Sequence, residues 1–366
     1  MKAEYRRLGD YIRQVDVRNK EQKVSRLVGL TIDKAFIPSV ANTIGTDISN
    51  YKIIRKKQFA CSLMQVSRDG KMPVAMFEEE EAIMSPAYPM FEVYSSDLLP
   101  DYLMLWFLRP EFDREASFYA VGGVRGSLEW NDFCDMMLPV PPIEEQRRIV
   151  EQYQTVERRI KNNERLIALL EDTAQTIFRH RFVDNIDPNN LPEGWRMGNI
   201  FDVIELYDSQ RVPLSGEVRE KMKKIYPYYG ATCMMDYVDD YHYDGIYLLM
   251  GEDGSVMKDN GTPYLQYVYG KFWVNNHAHV MQGKNGFTTE LVYTMLSSYN
   301  IQNLVTGAVQ AKLSQTNMAL IKTCIPPDEF LSKICQQVSV IFSYIRTLRD
   351  ENSHLLSYLN LYLQTL

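Results

Sequence analysis

The feature that most limits how this chain can fold is a repeat. Gly123-Val124-Arg125-Gly126-Ser127-Leu128 followed by Pro141-Pro142-Ile143 returns as Ala308-Val309-Gln310-Ala311-Lys312-Leu313 followed by Pro326-Pro327-Asp328. Leu128 stands 185 positions before Leu313, and Pro141 the same distance before Pro326. Each proline pair opens a long helical pattern, because the first turn of a helix tolerates a missing N–H and a fixed φ. The repeat predicts two globular halves, each ending in a long helix.

Those helices read as partners. Ile149, Tyr153, Val156, Ile160, Asn163, Ile167, Leu170, Ala174, Ile177 and Arg181 advance in alternating steps of four and three, which keeps them on one face of a supercoiled helix. Ile334, Val338, Ile341, Ile345, Leu348, Asn352, Leu355, Leu359, Tyr362 and Leu366 do the same. One stripe alone fits a helix packed on its own domain. Two at the same offset favour an antiparallel coiled coil with pseudo-twofold symmetry. Full overlap then pairs positions whose numbers total 515, so that Asn163 meets Asn352. An amide pair in the seam costs stability and fixes register. The alternative is that both asparagines point partly to solvent.

At 366 residues, 45% hydrophobic and 24% charged, the chain can bury two ordinary cores. Met1-Lys2-Ala3-Glu4-Tyr5-Arg6-Arg7 leads into no apolar signal segment, and no later run is apolar enough to span a bilayer, so a cytoplasmic location is expected. The five cysteines form no Cys-x-x-Cys, which argues against a disulfide framework or a zinc knuckle and suggests reduced, mostly buried thiols.

Strand-like runs between turn signals occupy 26–32, 59–66, 74–77, 82–84 and 90–93, with a helix at 101–108. The proline-led helix covers 142–182, and a Pro/Asn/Gly cluster at 187–195 reads as a linker. Further runs follow at 245–250, 264–269, 271–274 and 278–281, and the last helix at 328–366. The expected organisation is α+β: domains at 1–140 and 186–325, long helices at 141–185 and 326–366. Arg68-Asp69-Gly70-Lys71 and Glu252-Asp253-Gly254-Ser255 read as equivalent tight turns. Met84-Ser85-Pro86-Ala87-Tyr88 aligns with Asn275-Asn276-His277-Ala278-His279.

Leu138-Pro139-Val140-Pro141-Pro142-Ile143-Glu144-Glu145-Gln146-Arg147-Arg148-Ile149-Val150 resembles the opening of the central helix in specificity (S) subunits of type I restriction–modification systems. Leu191-Pro192-Glu193-Gly194-Trp195 is similar to the start of their second target-recognition domain, and Gly251 to Ser255 with Trp273 to Val280 to a segment inside it. The second copy departs in having Asp328-Glu329-Phe330 for the Glu-Glu-Gln run, and the first half lacks the Asn-His-Ala-His segment.

The resemblance implies a chain without chemistry of its own, in which two tandem α/β target-recognition domains each read one part of a split double-stranded DNA sequence. It also implies docking of two adenine-methyltransferase (M) subunits, which carry S-adenosylmethionine, and in some systems of restriction (R) subunits. A stripe of this length spans on the order of 50 Å, roughly the scale of a dozen base pairs.

The catalytic signals are correspondingly poor. Ser85-Pro86-Ala87-Tyr88 mimics a base-gripping loop, but no Gly-x-Gly cofactor turn precedes it. There is no Gly-x-x-x-x-Gly-Lys-[Ser/Thr] loop, and Asp101, Glu111 and Asp113 lack the lysine of a nuclease set. His277 and His279, two apart on a strand, are the best metal candidates, yet nothing local completes a ligand set, and a structural or DNA-facing role is favoured over a metal. A coiled-coil scaffold that reads no DNA, or a metal-dependent hydrolase, are the alternatives.

A net charge of −7 is unlike a typical DNA binder, so contacts must be local. The candidates in the first half are Lys52, Arg55, Lys56, Lys57, Arg68, Lys71 and Arg125. In the second they are Lys221, Lys223, Lys224, Tyr228, Ser255, Asn276, His277, Gln310 and Lys312. Solvated surface charge is the competing reading for each lysine cluster. Tyr226 and Tyr229 flank Tyr228 beside the second cluster. Arg125 and Gln310 share one repeat position, where arginine suits guanine and glutamine suits adenine.

Overall fold

A computed structural model describes residues 4–39, 47–64, 66–120, 127–307 and 310–366. Contacts divide the chain into two units, Met1–Lys161 with Asn352–Leu366, and Asn162–Glu351. Each unit therefore contains one sheet-rich domain and part of both long helices. Among the described residues no helix is long and apolar enough to cross a membrane.

The first unit opens with β1 (Glu4–Arg7) and β2 (Ile12–Gln14), followed by β3 (Phe59–Cys61), β4 (Val74–Met76) and β5 (Met90–Val93). Helix α1 (Pro100–Phe107) begins on a proline, and β6 (Met137–Val140) precedes α2 (Ile143–Phe182). Strand β1 pairs with β6, while β2-β5-β3-β4 form an antiparallel four-stranded sheet. Phe59, Phe91, Phe107 and Phe133 are fully buried under it, with the Phe59 and Phe91 rings stacked at 5.0 Å. Residues 59–66, expected as one strand, end as strand at Cys61 and turn into the short helix Val66–Asp69.

The second unit repeats this order with β7 (Arg196–Asn199), β8 (Ile204–Leu206), β9 (Tyr226–Tyr229), β10 (Met234–Val238), β11 (Tyr243–Gly251), β12 (Leu265–Val274) and β13 (Ala278–Gly283). Then come α3 (Thr289–Ser297), β14 (Lys322–Ile325) and α4 (Asp328–Thr365). Strand β7 pairs with β14, as β1 does with β6. The order β8-β13-β11-β12 matches β2-β5-β3-β4, all antiparallel, and is extended by β9 and β10. The runs 264–269 and 271–274, expected as two strands, are one; the intervening Gly270 faces Gly245 across an unbroken ladder.

The correspondence reaches single hydrogen bonds. Leu128 N–H donates to the Leu63 carbonyl at 3.0 Å, and Leu313 N–H to that of Glu252 at 2.8 Å. Val15 bonds Met90 as Tyr207 bonds Val280, both at 2.8 Å. Phe59 opposes Phe91 as Leu248 opposes Met281, which makes Leu63 equivalent to Glu252 and Pro89 to His279. The sequence alignment of the two segments, which set Tyr88 against His279, is thus off by one residue.

Both long helices carry acidic residues in the first turn, and α2 ends in Arg179, His180 and Arg181, a distribution that suits the helix dipole. They run antiparallel within each unit. In the first, Tyr362 meets Gln152 and Asn352 meets Ile160; in the second, Arg349 meets Glu171 and Phe330 meets Phe182. These pairs scatter around the expected total of 515. Asn163 and Asn352 are 2% and 9% exposed, so neither faces solvent, and the Asn352 amide reaches the Ile160 carbonyl at 3.5 Å. Within the second unit α4 is tied to α3 and to the sheet by polar contacts: Arg346 to Glu290 of α3 at 3.1 Å, and the Tyr269 hydroxyl of β12 to Asp350 at 2.8 Å.

Candidate nucleic-acid interface

Three segments far apart in the sequence meet beyond the ends of β11 and β13. The turn after β11 is stitched to residues 311–313 and to the residues that open β13: Gly254 N–H donates to the Ala311 carbonyl at 2.9 Å, and Glu252 N–H to that of His277 at 2.8 Å. Thr306 and Lys312 exchange backbone hydrogen bonds of 2.9 and 2.7 Å, closing a loop whose neck is held by Leu313 on Glu252. Gly307 sits in this neck at φ +95°, and a Cβ there would collide with the Gln310 carbonyl. Ser255, Asn276, His277, Gln310 and Lys312 are all exposed on this surface, from which His277 pairs with Asp253.

Beneath it lies a knot of charge. His279 is 1% exposed; Nδ1 faces Asp208 Oδ2 at 2.6 Å and Nε2 faces the Leu313 carbonyl at 2.7 Å. Both neighbours are acceptors, so the ring satisfies both only by donating from both nitrogens. Arg211 donates to Glu252 at 2.6 Å and to the Ala278 carbonyl at 2.8 Å, Lys312 stands 3.4 Å from Glu252, and Gln315 donates to Asp208 at 2.9 Å. Burial would raise the Asp208 carboxyl, but His279, the Val280 N–H and Arg211 outweigh it and hold it below the usual carboxylate range.

Asp208, Glu252 and His279 bring potential ligand atoms within 4.8 Å of one another, the geometry of a metal site. Here both carboxylates already face cations, and both His279 nitrogens are engaged. The arrangement is that of an ion-pair network. Sequence reasoning missed the two carboxylates because they lie 71 and 27 positions from His279; only the pairing of β8 and β11 with β13 brings them together.

The other candidates are scattered. Lys52, expected to face DNA, is 8% exposed and donates to the Tyr88 carbonyl at 3.0 Å; its burial pushes the ammonium pKa down. Arg55, Lys56 and Lys57 stand opposite Glu81, Glu80 and Glu78, because their strand Lys52–Arg55 pairs with Glu81–Met84. Lys57 also pairs with Asp101 at 2.9 Å, and Lys71 with Asp33 at 3.5 Å. Arg68 lies in the helix Val66–Asp69, and Arg125 lies outside the described residues.

Lys221 and Lys223 are exposed, while Lys224 bonds Asp236 at 2.8 Å. That contact and the Tyr237 N–H hold the Asp236 carboxyl at about 2. Tyr228, also expected at the DNA surface, is instead a core residue: it is fully buried, with its hydroxyl bonded at Leu214 and the Arg219 guanidinium over its ring. In this strand the period of two turns Tyr228 inward and leaves its neighbours half-buried.

The motif residues find structural explanations. Gln146, the glutamine of the helix opening, is 0% exposed; it accepts from Leu99 N–H at 2.8 Å and donates to the Asp97 and Pro141 carbonyls at 2.7 and 2.8 Å. Trp195 packs against Phe182 and Phe330, at 5.8 and 5.1 Å between ring centres.

Residues 192–355 match the family model described as the type I restriction modification DNA specificity domain. A Haemophilus influenzae protein described as a type I restriction enzyme specificity subunit is 34% identical over 126 residues, covering 34% of this chain and 32% of that protein. The specificity subunit of the Escherichia coli type I restriction enzyme EcoprrI is 25% identical over 129 residues, 35% of this chain and 31% of its own length. The aligned parts thus span about a third of each curated relative. The crystal structure of a type I restriction–modification S subunit from M. genitalium superposes with a TM-score of 0.57 at 11% identity, covering 98% of this chain and 94% of the other. That superposition shows a shared fold.

Proposed function

We propose, from the match of residues 192–355 to the type I restriction modification DNA specificity domain, that this chain is the DNA-reading subunit of a type I restriction–modification complex. In this reading each domain recognises one part of a split double-stranded target, and the paired helices set the spacing. Chemistry resides on partners: two adenine-methyltransferase subunits using S-adenosylmethionine, which a restriction subunit can join. The observation that carries the reading is the repeated sheet order, β2-β5-β3-β4 and β8-β13-β11-β12, which supplies two equivalent scaffolds with different surface residues.

The test is methyl transfer in vitro. The purified chain alone should transfer none, and the chain with its methyltransferase should methylate adenine within a two-part sequence. Transfer by the chain alone, or sequence-indifferent transfer by the pair, would contradict the proposal.

A further inference from the structure

Of the charged knot the first unit keeps one member: Asp16 stands at the position of Asp208, half-exposed and paired with Arg18 at 2.5 Å. Where the second unit has Glu252 and His279, the first has Leu63 and Pro89, although the hydrogen bond from Leu128 to Leu63 repeats the one from Leu313 to Glu252. Charged groups buried to this degree are retained at a desolvation penalty, which well-packed apolar residues avoid. The knot's contacts converge on one backbone segment. His279 Nε2 faces the Leu313 carbonyl, the Glu252 carboxylate faces the Lys312 ammonium while its main-chain carbonyl accepts from Leu313 N–H, and Asp208 holds both His279 and Gln315. Gln310 and Lys312 are displayed directly before that segment.

We propose that His279 is a positioning residue: through its Nε2 contact to the Leu313 carbonyl it fixes how Gln310 and Lys312 are presented to the DNA half-site read by the second domain. The DNA part of this statement rests on the function proposed above; the mechanical part does not. His279 is buried and touches no DNA itself.

Two substitutions separate its two contacts. An asparagine amide can replace Nδ1 and face Asp208, whereas a glutamine amide reaches the position of Nε2 and faces Leu313. Both variants lose one hydrogen bond at the same site, so a merely structural role would affect them alike. With the full chain, trypsin cleavage after Lys312, whose side chain is 51% exposed, reports how firmly the segment is held. His279→Asn should be cut roughly tenfold faster than wild type and His279→Gln near the wild-type rate, the scale of losing about one good contact.

In the methyltransferase complex, His279→Asn should lose roughly tenfold in discrimination at one half-site, with the other half-site unchanged and His279→Gln close to wild type. Equal cleavage of the two variants, or equal weakening at both half-sites, would overturn the proposal. If wild-type complex showed no sequence preference, the functional reading would fail while the cleavage rates still decided the positioning role. Should His279→Asn not fold, His279→Gln decides: loss of half-site discrimination with the Leu313 contact kept would count against it.

Discussion

At the scale of single residues, the chain's recognisable motifs prove to be joints. Gln146 looks in the sequence like one more polar residue on a charged helix, yet it is the plug that satisfies one N–H and two carbonyls where α1, β6 and α2 meet. Replacing it with leucine keeps the volume but leaves those groups buried without partners. The substitution should lower stability by roughly 1–3 kcal/mol, read as a lower denaturant midpoint with an unchanged slope; an unchanged midpoint would contradict this role. The second copy has Leu331 at the same repeat position, 2% exposed in an apolar cluster, so that side chain makes the joint there by packing alone. Gly194 shows a similar logic: its φ is +80° and a Cβ would lie 2.9 Å from Pro327. What the sequence concealed was side-chain direction. Tyr228 and Lys52 belong to residue types that suit DNA, but strand alternation turns both inward, and a tyrosine-rich, lysine-flanked run carries no apolar pattern from which that phase could be read.

At the scale of elements, the helices were the most legible part because their stripes are long. Almost every stripe residue is buried or partly buried, with Arg181 the exposed exception. The antiparallel pairing also followed from the repeat. The asparagines test the register idea. Replacing both Asn163 and Asn352 with leucine should keep or raise the thermal midpoint, since amides in a seam cost stability, while relaxing the spacing tolerated between half-sites. A lower midpoint with unchanged spacing would instead make them ordinary structural contacts. Strands were less legible. Short strands such as β9 and β10 carry polar and aromatic residues on both faces, so alternation is weak, and Gly270 suggested a break that cross-strand pairing with Gly245 removes. The charged knot was invisible for a further reason: its members come from β13, the turn after β11 and the segment after β8, and only the sheet order assembles them.

At the scale of the whole molecule, an acidic chain built on two equivalent scaffolds is reconciled with DNA reading if specificity lies in small surfaces and other subunits supply further phosphate contacts. The surface around Gln310 and Lys312 fits that picture: its charges are balanced internally, which leaves shape and hydrogen bonding to discriminate bases. In the first half, Arg55, Lys56 and Lys57 stand beside glutamates, with Arg55 and Lys56 still exposed, so part of the basic charge there is balanced locally. The central claim, that each half reads one part of a divided target, is tested most directly by sequencing methylated DNA from cells that express this chain with its methyltransferase. The comparison is a chimera in which residues 196–325 come from another specificity subunit. The account predicts N6-methyladenine in a two-part motif of which the chimera changes only one part, with the other part and the spacing retained; a motif unchanged by the exchange, or changed in both parts, would contradict it.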